Sequence, residues 1–96
     1  MQIVVELFGL PRHRAGVSEL LVELDENNPS LADLIASLAE SLPGLQPDCI
    51  RLNAQNAWEF TPHVVGNLNG EQFIRQGNEI LHAGDRLLIL SADVGG

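Results

Sequence analysis

The apolar residues of this 96-residue chain change period in one place, and that change restricts the folds open to it. In "NPSLADLIASLAESLPG", Leu31, Leu34, Ile35, Leu38 and Leu42 recur at the spacing of one helix face. Ser30 is a good N-cap and Asp33, three residues on, stands in a capping-box-like position. Pro43 and Gly44 stop the helix.

Elsewhere the period is two. "MQIVVELFG" sets Ile3, Val5 and Leu7 against Gln2, Val4 and Glu6, a strand ending at Gly9. "LPRHRAG" reads as a loop, with Pro11, Gly16 and two of the five arginines. "SELLVELDENN" alternates again, with Leu20, Val22 and Leu24 on one face and Glu19 and Glu23 on the other, so the chain opens on a hairpin. "LQPDCIRLNAQNAWEFTP" is the least legible stretch and reads as a short strand with an Asn-rich turn. "HVVGNLNGEQF" predicts a strand interrupted at Gly66, then a turn at Asn69-Gly70. Ala83-Gly84-Asp85 predicts a turn before the last strand, "RLLIL".

A hairpin, one amphipathic helix and further strands can bury one face of a mixed sheet under that helix. The expected class is α+β, and the β-grasp is the compact arrangement that fits. Residues 1–90 form the expected domain and 91–96, "SADVGG", a flexible tail.

A chain of this length buries roughly 60 to 68% of its unfolded surface, enough for one modest core. With three Phe, one Trp and no Tyr, that core is expected to be aliphatic. No run of about 18 apolar residues and no signal-peptide pattern is present, so no membrane partner is expected and the default location is the cytoplasm. The formal charge of −8 disfavours nucleic acid and suits a basic protein partner. All five cationic side chains are Arg, and Lys is absent. A composition bias toward Arg explains that, and so does a chain that carries an activated acyl group and avoids amine nucleophiles of its own. Cys49 alone can form neither an internal disulfide nor a multi-thiolate metal site and reads as a partly buried structural residue.

Four segments in this order resemble the MoaD/ThiS family of ubiquitin-like sulfur carriers. They are "LFGLPRHRAGVSELLVEL", "SLADLIASLAESLPGL", "FTPHVVGNLNGEQF" and "LHAGDRLLILSADVGG", which together span nearly the whole chain. The resemblance implies that an adenylating enzyme joins the carboxylate of Gly96 to AMP from ATP, and that sulfur then replaces AMP to leave a thiocarboxylate. The carrier binds no cofactor and supplies no acid, base or metal; ATP is consumed by its partner. It also implies a role in molybdopterin biosynthesis, as small subunit beside a molybdopterin synthase large subunit. Where the molybdopterin branch has a Pro-Pro-Val type approach to the tail, this chain has Ser91-Ala92-Asp93. Cysteine or thiamine biosynthesis therefore stays open as the destination, as does attachment to proteins as a ubiquitin-like modifier.

The residues suit that chemistry. Gly95 and Gly96 carry no Cβ to obstruct passage through a narrow channel, and Ala92 and Val94 are small. Partner contact is expected along Ser91, Ala92, Asp93, Val94 and Gly95, and on the sheet face away from the helix. If Leu87 and Ile89 point inward, Leu88 and Leu90 point outward. Val4, Phe8 and Leu21 would join them in an apolar patch; a register displaced by one would instead put these residues in the core. Asp85 and Glu79 are candidates for pairing with a basic partner or for plain solvated surface. His13, His63 and His82 lack metal-ligand spacing, and Trp58 and Phe60 read as caps on one edge of the core.

Overall fold

In the computed structural model, which describes residues 1–92, the opening hairpin forms as its alternation requires. Strand β1 (Gln2–Leu7) lies antiparallel to β2 (Glu19–Glu23), with Ile3 opposite Val22 and Val5 opposite Leu20. Between them the expected loop is a helix, α1 (Gly9–Ala15). Gly9, at φ +59°, turns the chain directly out of β1. Pro11 falls in the first helical turn, where no N–H is needed, and Gly16 closes the helix in the left-handed region with its N–H on Arg12 O at 3.0 Å. Seven residues between two breakers carry too little periodicity to be read as a helix.

Helix α2 (Leu31–Ser41) has the predicted cap. Ser30 Oγ accepts from Asp33 N at 3.2 Å, and Asp33 Oδ2 accepts from Ser30 N at 2.8 Å. Leu31, Leu34, Ile35 and Leu38 are fully buried. A 3-10 turn (Pro43–Leu45) then leads to the segment that was hardest to read. It forms a separate two-stranded sheet, β3 (Ile50–Leu52) against β4 (Trp58–Phe60). Asn53 Oδ1 accepts from Gln55 N at 2.9 Å and Ala57 N at 3.0 Å, and Asn56 takes φ +64°. Side-chain amides thus build a turn that strand alternation does not announce. Phe60 enters the core and Trp58 packs on its rim.

Strand β5 (Val64–Leu68) is continuous through Gly66. A Cβ there would lie 3.1 Å from Leu87 Cδ1, 3.2 Å from Phe60 Cε2 and 3.3 Å from Ile74 Cγ1. The glycine marks a crowded layer and not a strand break. Asn69 and Gly70, both at positive φ, turn the chain into β6 (Gln72–Ile74). Strand β7 (Arg86–Ser91) completes the main sheet, in the order β2-β1-β7-β5-β6. It runs parallel to β1, with Val5 opposite Leu87 and Leu7 opposite Ile89, and antiparallel to β5. Ile3, Val5, Leu7, Val64, Leu87 and Ile89 meet the buried face of α2, an aliphatic core between one sheet face and one helix. Among the described residues no helix is long and apolar enough to cross a membrane.

Candidate functional site

The central position of β7 decides what its C-terminal end can reach. Because β7 is parallel to β1, both strands finish at the same end of the sheet, where α1 begins. Phe8 N donates to Ile89 O at 3.0 Å, prolonging that ladder past the end of β1. Ser91, expected as the first residue of the tail, is the last residue of β7, opposite Val64. Its Oγ accepts from Leu10 N at 2.8 Å, and Ala92 N donates to His63 O at 2.7 Å. The strand therefore runs beyond residue 90, because backbone pairing on the β5 side and the first turn of α1 on the other side continue to hold it. A Cβ on Gly9 would sit 2.5 Å from Ser91 Oγ, so α1 approaches the strand end this closely only with glycine there. Asp93, Val94, Gly95 and Gly96 lie outside the described residues.

The strand register is the one that alternation predicts. Leu87 and Ile89 are buried, while Leu88 and Leu90 are half-buried on the sheet face away from α2. Phe8 and Leu21 are exposed, and Val4 is half-buried between Leu21 and Arg86. Two aromatic and aliphatic contributors were not singled out from sequence. Val65 stands opposite Leu90, and Phe73, 67% exposed, lies one strand further out. An apolar surface thus runs from Phe8, just past the end of β1, across Leu90 and Leu88 of β7 and Val65 of β5 to Phe73 of β6. The Asn69-Gly70 turn was the available signal, since it fixes which residues of β5 and β6 share a face.

One polar residue sits within that surface. Asn67 lies between Leu88 and Phe73 across the sheet, is only 9% exposed, and its Oδ1 has no hydrogen-bond partner among the described residues. At the β1–β2 side the rim is charged. Arg86 pairs with Glu6 and lies 3.7 Å from Glu19.

Asp85 does not stand free for a partner. Its carboxylate accepts from His82 N at 2.8 Å and Asn69 Nδ2 at 3.1 Å, tying two turns together. Glu79 contributes its carbonyl to Leu31 N at 2.8 Å and so helps seat the start of α2. Among the described residues, no group of three or more His, Cys, Asp or Glu side chains is placed to hold a metal ion. Cys49 is fully buried, not partly so, and burial, reinforced by Asp48, raises its thiol pKa. At the β3–β4 hairpin, hydrogen bonds from Asn53 and Arg51 hold the Glu59 carboxyl below its ordinary value.

This arrangement is the β-grasp fold of ubiquitin-like proteins. Solved structures sharing it include SAMP1 from Haloferax volcanii, with a TM-score of 0.80 and 22% identity over 100% of both chains. A Pyrococcus furiosus protein assigned as molybdopterin converting factor, subunit 1, matches at a TM-score of 0.72 and 23% identity, over 95% of this chain and 97% of its own. Small archaeal modifier protein 1 from Methanosarcina acetivorans matches at 0.72 and 22%, over 99% and 96%. No family profile and no curated protein matches the sequence.

Proposed function

We propose that the chain is a ubiquitin-like carrier of the MoaD/ThiS type, in which Gly96 is the reacting residue. In this reading the Gly96 carboxylate attacks the α-phosphorus of ATP on an adenylating enzyme, expelling pyrophosphate. A sulfur nucleophile then adds to the acyl carbonyl, AMP leaves, and a thiocarboxylate remains. Sulfur transfer to a molybdopterin precursor, beside a large acceptor subunit, is the first destination considered. The observation that carries the reading is the anchored end of β7. Ser91 is held by Leu10 and Ala92 by His63, beside an apolar sheet face and only a few residues before Gly95-Gly96. A rigid base beside a docking surface supports accurate delivery of a slim terminus, and misplacing a reacting atom by about 1 Å costs on the order of 100-fold in rate.

A second reading has specific support, because two of the solved structures sharing this fold are of small archaeal modifier proteins. There the activated Gly96 acylates an amine of a target protein. One assay separates the two. The purified chain is incubated with its cognate activating enzyme, ATP and a sulfur donor, and its intact mass is taken. Exchange of one oxygen for one sulfur at Gly96 supports the carrier; amide-linked products on added proteins support the modifier. Neither product with every cognate enzyme rejects both. Deleting Gly96 abolishes either product without loss of stability.

A further inference from the structure

We infer that this chain is built to donate an acyl group and not to accept one, so that any conjugate formed through Gly96 ends after a single unit. The inference rests on Gly96 being the activated residue and concerns the nucleophiles on the rest of the chain. Capture of an activated glycyl group by an amine forms a C–N bond at the Gly96 carbonyl carbon. It breaks the bond to the leaving oxygen or sulfur and releases one amine proton to solvent. An amine with a free lone pair is therefore required.

This chain has no lysine, which leaves the α-amine of Met1 as its one primary amine. Its five cationic side chains, Arg12, Arg14, Arg51, Arg75 and Arg86, are guanidinium groups, which stay protonated and offer no such lone pair. The α-amino group of Met1 donates to Glu23 Oε1 at 3.2 Å and to Leu24 O at 3.0 Å, beside the strand pairing of Leu24 N with Met1 O. Thiols are the other efficient acceptors, and the lone thiol, Cys49, is fully buried. Its raised pKa also keeps it in the unreactive protonated form. Serine and threonine hydroxyls need an adjacent base to become nucleophiles. A composition bias toward arginine accounts for the missing lysines, but not for the tethered α-amine or the sealed thiol.

The test needs no activating enzyme, so it stands or falls separately from the proposed function. The full chain is prepared with Gly96 as a 2-mercaptoethanesulfonate thioester by intein cleavage and followed by intact mass near neutral pH. The wild type is expected to give only the hydrolysed acid. Arg12→Lys places an amine on the exposed face of α1, and the five residues beyond Ser91 span up to about 17 Å. That variant is expected to lose the thiol without gaining water, forming a lactam at least about tenfold faster than hydrolysis, because the reaction becomes intramolecular. Glu23→Ala is expected to raise acetylation of Met1 by an N-hydroxysuccinimide ester about two- to fivefold, the factor that matches loss of an exposed ion pair. Amide-linked dimers or a cyclised product from the wild type would overturn the inference, as would an Arg12→Lys thioester no shorter-lived than wild type.

Discussion

Asn67 and Cys49 are the two residues whose surroundings conflict most with their chemistry. Asn67 buries a carbonyl oxygen that has no partner among the described residues in an apolar sheet face. Removing a buried group that lacks a partner relieves its desolvation cost, so Asn67→Leu is expected to be neutral or to stabilise by about 1 kcal/mol. Urea unfolding measures this, and a loss above about 1 kcal/mol would mean that Asn67 is paired in solution. Cys49 keeps its proton to higher pH in the fold than in the unfolded chain, where it titrates near the ordinary value of 9.0. The stability it contributes is complete below that pH. It is lost as pH rises, because the unfolded state gains thiolate first. Between about pH 8 and pH 10, wild type is expected to lose more stability than Cys49→Ala; equal losses would exclude the effect.

At the scale of elements, legibility followed the length of the period. Helix α2 and strands β1, β2 and β7 carry enough repeats for their inner faces to be named from sequence, and those faces are buried except at Leu20 and Leu42, which are half-buried against the core. Leu38→Ala is therefore expected to cost about 2 to 5 kcal/mol by thermal or urea unfolding, since the side chain is fully enclosed. A loss below about 0.5 kcal/mol would place Leu38 outside the core. Short elements behaved differently. Helix α1 was hidden by Pro11 and its flanking glycines, and the β3–β4 hairpin by an Asn-built turn. In both, capping and tertiary contact supply what a few residues of pattern cannot.

At the scale of the molecule, one sheet face is sealed by α2, and among the described residues the other is open as an apolar band from Phe8 to Phe73. Exposed apolar bands of this kind mark contact surfaces. Leu90→Glu changes a half-buried residue of that band beside the anchored strand end. It is expected to change stability by no more than about 2 kcal/mol, within the ordinary range for single substitutions. If the proposed function holds, it is also expected to raise the KM for this chain in an activating enzyme's reaction by at least about tenfold, the effect of losing about 1.4 kcal/mol of docking energy. An unchanged KM would remove the open face from the docking surface.

Sequence alone determined the period of each long element, the grouping of Ile3, Val5 and Leu7 on one face of β1 and of Leu87 and Ile89 on one face of β7, and the absence of lysine. These are local properties, written in spacing and composition. Tertiary structure decided that β7 lies between β1 and β5, which makes Val65, Asn67 and Phe73 neighbours of Leu88 and Leu90. It also decided that Ser91 belongs to the strand, through a hydrogen bond to Leu10 from 81 residues away. Contacts between segments so distant in the chain depend on how the strands are ordered, and no local pattern in either segment contains that order.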